Sequence, residues 1–596
     1  MLSLVMCGIF GYVGQRTNAG SLVMKGLKNL EYRGYDSWGV AMQTKDGIEI
    51  VKDIGKISTI DSETFTTECS VAIAHSRWAT HGGVTKENAH PHISDDGTIA
   101  VIHNGIVENF QELRAELKKA NIVFASETDT ETIPHLIARE MKKGGSLTEA
   151  VRTVSELLHG RNAIIAMHKT THEIVAARTG SPLIIGVGEN GEHFIASDIP
   201  AFLEYTRTVQ YLDDGEMVTI DTDGLKFQSI DTGEEIEKRL VTIDWDVSDT
   251  EKGEYAHYMI KEIMDQKESI QRSLHQDEEH IQVIADAIQN CLGCILIGCG
   301  TAHKVCAVAD YFFSVVAKRH VNVTPASEFP IFHHFLKPES LVIAVSQSGE
   351  TIDVIEAMQV AKKAGSKVLA IVNREGSSVQ RAADYTLLIN AGPERAVAST
   401  KAATGQMAVL LLIAHAVAGK LQEGRTLLME TSGQINDMLN PRYFEHIKSI
   451  AEKIHTNENM YIIGKGWNYP MALESAIKIQ EVSYIHAEGF AAGELKHGPI
   501  ALIEKGTPCL ALIGNDEFKA DILSNIMELK ARGAKIIAVS PENNEAFDYW
   551  IKVPDASTAQ AIVNVIPVQI LAYFLAVVRG KDPDMPRNLA KSVTVK

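Results

Sequence analysis

Cysteine is scarce: seven residues in a chain of 596. That is too few for a disulfide scaffold, so a reducing, cytoplasmic setting is the default expectation. Basic charge is also short, with 57 Lys and Arg against 76 Asp and Glu and a formal charge of −19. Nucleic-acid binders present a basic face to phosphates, so that class is not expected, although a local pocket for a small anion is. No apolar run approaches the ~18–20 residues that cross a bilayer, so no membrane role is expected either. The opening Met1-Leu2-Ser3-Leu4-Val5-Met6 is too short and uncharged for a secretory signal. What is present is 45% hydrophobic and 22% charged residues, the balance of a folded protein with length for three or four domains.

Two styles of sequence meet near residue 250. Before Asp244, short β-rich runs such as Val71–Ala74, Ile99–His103, Ala163–His168 and Leu183–Val187 are separated by glycine and polar turns. Few helical stretches intervene, which predicts an α+β domain on antiparallel strands. Beyond Glu254, amphipathic helices alternate with short, almost wholly apolar strands, the pattern of a parallel sheet covered on both faces. This second style occurs twice. Cys294–Gly300, Leu341–Ser346 and Ser366–Ile371 recur as Met460–Gly466, Pro508–Ile513 and Ala534–Val539, in the same order at a spacing of about 167 residues. Two doubly wound domains are predicted, at 280–419 and 451–586, after a domain at 7–224 and a linker with a connecting helix at 225–279; a tail at 587–596 remains.

The repeats differ after their second strand. The first carries Ser346-Gln347-Ser348-Gly349-Glu350-Thr351, whose hydroxyls and backbone amides at a helix start suit a phosphate; the alternative is simple helix capping. The second carries Gly514-Asn515-Asp516-Glu517, an acidic turn. One phosphate site per chain is therefore expected.

Cys7, ahead of Gly8-Ile9-Phe10-Gly11, reads as a buried structural thiol or, if the working chain begins there, as a nucleophile. In the second case its own α-amino group accepts the thiol proton. Five histidines fall between 75 and 103, but their spacing fits no standard zinc motif and no metal is expected. Arg77 suits a carboxylate, Asn104-Gly105 can serve an oxyanion, and the acidic Glu127–Glu131 stretch fits a helix start or a substrate ammonium.

Cys7-Gly-Ile-Phe-Gly11, Leu30–Ser37, Arg77-Trp-Ala-Thr-His81, Asn88-Ala-His-Pro-His92 and His103-Asn-Gly105 resemble a class II, N-terminal-nucleophile (Ntn) glutamine amidotransferase domain. Ser346–Thr351, Ala398-Ser-Thr-Lys401, Glu494–Pro499 and Arg587–Thr594 are similar to the glutamine–fructose-6-phosphate aminotransferase family, with two sugar-isomerase (SIS) domains. The resemblance implies that Cys7 is the glutaminase nucleophile, that Arg77, Thr80, His81 and Asp129 hold glutamine, and that Asn104 and Gly105 form the oxyanion hole. It implies that Thr301, Ser346, Gln347, Ser348 and Thr351 bind a sugar phosphate beside Val397. Glu481 would be the isomerisation base, supported by Lys478; His497 would open the sugar ring, and Lys591 would form a Schiff base. Without the resemblance, Glu481 reads as a surface charge, His497 as a turn residue and Lys591 as a solvated tail. Trp78 resembles the gate of an ammonia path, against the alternative of a core filler. No cofactor is implied, and a homodimer acting on glutamine and fructose 6-phosphate is.

Ala302, Gln480 and Lys596 depart from the family pattern, which puts substrate affinity in question. Cys291 and Cys294 form a CxxC with no second pair to complete a metal site. Two other readings stay open: a relative that acts on a different sugar phosphate, and a sugar-phosphate-binding regulator without catalysis. Retention of Cys7, Glu481, His497 and Lys591 together disfavours the regulator. Residues 1–6 are expected to be a misread start or a removed segment, because an amide nitrogen on Cys7 has no basic lone pair.

Overall fold

A computed structural model describes residues 7–79, 81–243 and 252–593, the side chain of Tyr32 excepted. The chain divides into two compact units, Met1–Thr250 with Ser592–Lys596, and Glu251–Lys591.

In the first unit, two antiparallel sheets lie face to face. One runs in the order 241–242, 208–212, 183–187, 193–196, 8–13, 71–77, 37–44, 47–54; the other runs 235–236, 224–229, 216–221, 174–178, 162–168, 99–105, 92–93. Alternation along each strand assigns the residues. Ile9, Ile73, Ile102, Ile165 and Val218 meet in one cluster between the sheets. Phe10, Tyr12 and Ala74 instead pack beneath the helix Ala19–Lys28. Val101 and Ile164 pack beneath Thr132–Met141 and Leu147–Leu157. Both faces of each sheet are thereby covered, which is why Gly8–Val13 and Val71–Arg77 are buried throughout although their neighbours are antiparallel. The first-unit sheets do not stop at residue 224. Gly224–Ser229 pairs with Glu216–Asp221, and Val241–Thr242 with Thr208–Val209, so the expected linker from 225 is corrected: its first part completes the sandwich.

The second unit holds two five-stranded parallel sheets of one topology. The first orders its strands 322–325, 293–298, 340–346, 367–372, 385–388, and the second 486–491, 459–464, 508–512, 535–540, 549–552. In each, the strand order reverses beside the first strand, leaving a crevice at the strands' carboxyl ends. The duplication extends to single glycines. A Cβ on Gly298 would lie 2.9 Å from the carbonyl carbon of Ala302, and one on Gly464 would lie 2.1 Å from the carbonyl oxygen of Asn468. In both repeats the following helix thus starts hard against the strand end.

The expectation about apolar runs is overturned by the helix Gln560–Val578. The window around it is long and apolar enough to cross a bilayer by composition, yet 83% of that window is buried inside the protein. Its polar residues explain its place: Asn564 donates to Asn468 Oδ1 at 2.9 Å, and Gln569 Oε1 accepts from Gln266 at 2.8 Å. It is a core helix, packed against Asn468–Ser483 and Pro441–Ile454.

Candidate active sites

Adjacent strands bring the first-unit residues together. Gly8 pairs with Ser76, and a Cβ on Gly8 would sit 2.5 Å from the Ser76 hydroxyl, so glycine lets Cys7 enter beside the end of Val71–Arg77. The Cys7 thiol accepts the Trp78 backbone N–H at 3.3 Å. Its carbonyl accepts the Asn104 side-chain amide at 3.0 Å and Arg33 Nε at 3.3 Å. Burial pushes the thiol up to about 11, with the Trp78 N–H and the Arg77 and Arg33 charges opposing. Such a thiol is not a standing thiolate and needs a base at the moment of attack.

Asn104 is fixed at its other end, where its Oδ1 faces His75 Nε2 at 3.2 Å. Gly105 takes φ +135°, and a Cβ there would lie 2.1 Å from the Arg161 carbonyl oxygen, so only glycine fits. The Asp129 carboxylate accepts the Val107 N–H at 2.8 Å. Arg77 donates to the carbonyls of His81, at 2.5 Å, and Gly83, at 3.1 Å, and so shapes the 81–83 loop. Trp78 is buried and meets the Tyr35 ring edge-on at 5.0 Å. Thr80 lies outside the described residues.

The histidines form a buried, uncharged stack. The rings of His75 and His90 are 4.1 Å apart and those of His90 and His92 4.8 Å. His103 is held between Thr130 Oγ1 and Asn162 Oδ1, each at 2.9 Å. Burial lowers His75 to about 3 and holds His90, His92 and His103 below the ordinary imidazole range. Among the described residues, no group of three or more His, Cys, Asp or Glu is disposed to hold a metal ion.

In the second unit, Ser340–Ser346 ends in the loop singled out for phosphate. Ser346 Oγ accepts the Gly349 N–H at 3.0 Å and lies 3.4 Å from Thr351 Oγ1, and Thr351 stands at the N-cap position of the helix Ile352–Lys363 without a side-chain capping bond. Gly349, at φ +63°, leaves no room for a Cβ, which would fall 2.1 Å from Ser377 Oγ. Gln347 and Ser348 lie on the same turn, held by Asn373 N–H to the Gln347 carbonyl at 3.2 Å and by Glu350 N–H to Ser348 Oγ at 3.2 Å. Thr301, at the neighbouring strand end, donates instead to Glu474 Oε1 at 3.0 Å, which links it to the other repeat.

Glu474, Lys478 and Glu481 share one face of Asn468–Ser483. Lys478 Nζ is 2.6 Å from Glu481 and 3.5 Å from Glu474, with Lys478 and Glu474 each 1% exposed and Glu481 24%. Burial, reinforced by Glu481 and opposed by Lys478, pushes Glu474 up to about 7. The two carboxylates hold the Lys478 charge and raise it against its own burial. Gln480, where the family pattern carries a lysine, points away: it is exposed and donates to the Ala487 carbonyl at 2.5 Å.

The tail reaches the same unit. Asp584 accepts the Tyr258 and Met259 N–H groups at 2.8 Å each, its carbonyl accepts Val397 N–H at 3.0 Å, and Arg587 N–H donates to the Tyr484 hydroxyl at 2.8 Å. Lys591 ends in an ion pair with the buried Glu394. His497 is exposed, and among the described residues no hydrogen bond or ion pair joins it to Glu481 or Lys591. Sequence reasoning missed Glu262, Glu394 and Glu474. The Glu474–Lys478–Glu481 spacing is a helical face and could have revealed the last; Glu262 and Glu394 meet Lys591 only through the fold.

The comparisons with known proteins agree with this division. The glutamine amidotransferase domain family matches residues 75–204, and the SIS domain family matches 288–416 and 453–579. The chain is thus an amidotransferase domain followed by two α/β SIS domains. It is 43% identical to a glutamine–fructose-6-phosphate aminotransferase [isomerizing] of Thermococcus kodakarensis, over 99% of this chain and 100% of that one. To a protein of the same description from Thermus thermophilus it is 41% identical over the same shares. The solved C-terminal domain of glucosamine-fructose-6-phosphate aminotransferase from Francisella tularensis is 31% identical, with a TM-score of 0.51, covering 56% of this chain and 99% of that one. The chain belongs to the glutamine–fructose-6-phosphate aminotransferase (isomerizing) family.

Proposed function

We propose that the chain transfers the amide nitrogen of glutamine to fructose 6-phosphate and isomerises the product, giving glutamate and glucosamine 6-phosphate. The observation that carries this is one chain holding both a strand-end cysteine beside an asparagine–glycine pair and a buried lysine–carboxylate tail site. In the first half-reaction the Cys7 sulfur attacks the glutamine carboxamide carbon and its α-amino group takes the thiol proton. Asn104 Nδ2, which has a second N–H to give, and the Gly105 N–H stabilise the oxyanion. Ammonia leaves, and water releases glutamate from the thioester. Arg77, Thr80, His81 and Asp129 hold the glutamine.

In the second half-reaction Thr301, Ser346, Gln347, Ser348 and Thr351 take the phosphate, with Val397 alongside. His497 opens the ring, and Lys591 adds to the C2 carbonyl, whose oxygen leaves as water. Ammonia displaces the lysine, and Glu481, steered by Lys478, carries a proton from C1 to C2. Ammonia in bulk water at neutral pH is mostly protonated and unreactive, so the nitrogen passes on without equilibrating with solvent, with Trp78 as the gate. The proposed enzyme is a homodimer in the cytoplasm with no nucleic-acid or membrane partner; the free thiols fit a reducing compartment and the acidic charge balance fits the lack of a nucleic-acid partner. No cofactor takes part.

The mechanism needs a free amine on Cys7, so residues 1–6 have to be absent from the active form. Incubation of pure protein with glutamine and a panel of sugar phosphates, with the amino sugar identified by mass spectrometry, tests the reading. Glucosamine 6-phosphate from fructose 6-phosphate supports it; another amino sugar, or none, overturns it. Intact mass of the active enzyme should show Cys7 at the N-terminus.

A further inference from the structure

Glu262 lies in the helix Tyr258–Met264 and is 2% exposed. One carboxyl oxygen accepts the N–H groups of Arg395 and of Ala396, the latter at 3.2 Å; the other oxygen is buried without a hydrogen-bond partner. Glu394, next along the turn, is provided for differently. It receives Ser399 Oγ at 3.1 Å, Thr400 N–H at 2.8 Å, Ala402 N–H at 3.1 Å and the Lys591 ammonium. Two buried carboxyl groups therefore serve one three-residue turn, and only one of them holds a cation.

We propose that Glu262 is a positioning residue for Lys591, clamping through its backbone the turn whose Glu394 balances the Lys591 ammonium. The inference rests on the Schiff-base role given to Lys591. The charged groups around Glu262 are Glu394 and Arg395 on the turn, Lys591 on the tail, Lys401 at the start of its helix and Asp265 and Lys261 on its own side. Lys401 is paired with Asp265 at 3.0 Å, and Arg395 donates to the Tyr258 hydroxyl at 3.0 Å. Burial first, then the Glu394 charge, pushes Glu262 up to about 8, with Lys591 and Lys401 opposing. Glu394 stays below the ordinary carboxylate range because Lys591 and the backbone donors outweigh its burial.

The consequence is a fixed place for the Lys591 nitrogen. A turn held at the Arg395 and Ala396 N–H groups keeps Glu394 where it meets the tail, so loosening the clamp should slow adduct formation more than it weakens sugar binding.

The test is hydride trapping of fructose 6-phosphate on the full-length protein at one pH near neutrality. Glu262→Gln keeps an acceptor for both N–H groups, so it should trap within about threefold of wild type. Glu262→Ala removes the clamp and should lower trapping about tenfold or more, with less effect on sugar KM than on rate. A folded Glu262→Gln protein, by circular dichroism, that traps no faster than Glu262→Ala overturns the proposal. So does a Glu262→Ala protein that traps at the wild-type rate. Wild-type protein that traps no sugar would instead sink the Lys591 assignment on which the proposal stands.

Discussion

The amidotransferase unit and the SIS unit build their sites by opposite means. In the first, His75, Arg77, Asn104 and Gly105 stand on strands fixed by antiparallel pairing and Cys7 directly precedes another, so closing the sheets assembles the site. In the second, Thr301, the 346–351 turn, Glu394, Glu481 and Lys591 come from five separate stretches. The Thr301 hydrogen bond to Glu474, beside the Lys478–Glu481 pair on the same helix, and the buried Lys591–Glu394 ion pair tie stretches together. A buried pair broken from one side is costly, because the remaining charge is stranded. The first site is thus rigid by backbone and the second by charge.

The largest expected effect separates the two units outright. Cys7→Ala should cut glutamine hydrolysis by at least about 10³-fold, since no other nucleophile is offered, while hydride trapping of sugar stays measurable. Retained hydrolysis, read as glutamate release, would remove Cys7 from its role. The mirror image comes next: Lys591→Ala should abolish the trapped sugar adduct and leave glutamine hydrolysis measurable. An adduct that persists, mapped to Lys478, would move the Schiff base onto the helix. Glu481→Gln should stop exchange of the C1 proton with solvent, by NMR, and still let the sugar bind.

A finer comparison lies within the SIS unit, between two turns on sheets of one topology. Ser346→Ala or Thr351→Ala should weaken sugar-phosphate binding about tenfold, the scale of one hydrogen bond to a charged group. Asn515→Ala at the equivalent acidic turn should change it less than about twofold. Calorimetric titration with fructose 6-phosphate distinguishes the outcomes.

The last effect is on stability. His75, His90, His92 and His103 are held uncharged by burial. The unfolded chain therefore binds more protons below about pH 6.5, and the amidotransferase unit loses stability as pH falls through that range, by about 1 kcal/mol per histidine for one pH unit. Glu474 and Glu262 sit at about 7 and 8, so in the SIS unit the native state holds extra protons above the unfolded carboxylate range, and their contribution is lost as pH rises through 7–8. Hydrogen exchange corrected for intrinsic rate should show 71–77 and 99–105 opening first on acidification. Equal responses in both units would contradict this.

These differences also explain what could be read from the sequence. The runs at 71–77, 99–105 and 183–187 announced themselves by β-branched residues between glycine turns, and the SIS duplication by its constant spacing. Local patterns also marked the 346–351 turn. The completion of the sandwich by 224–242 was not legible, because two-residue strands such as 241–242 carry no periodicity. Nor was the fate of Gln560–Val578, since an all-apolar helix reads alike in a core and in a bilayer. Glu262 and Glu394 look like ordinary surface acids until the tail folds over them.

The central claim is that both units act on one nitrogen. Wild-type enzyme supplied with amide-¹⁵N glutamine, fructose 6-phosphate and excess unlabelled ammonium tests it directly. The account predicts glucosamine 6-phosphate carrying ¹⁵N undiluted, with one glutamate released for each amino sugar. Glutamate released without amino sugar, or an amino sugar bearing the unlabelled nitrogen of the bath, would contradict it.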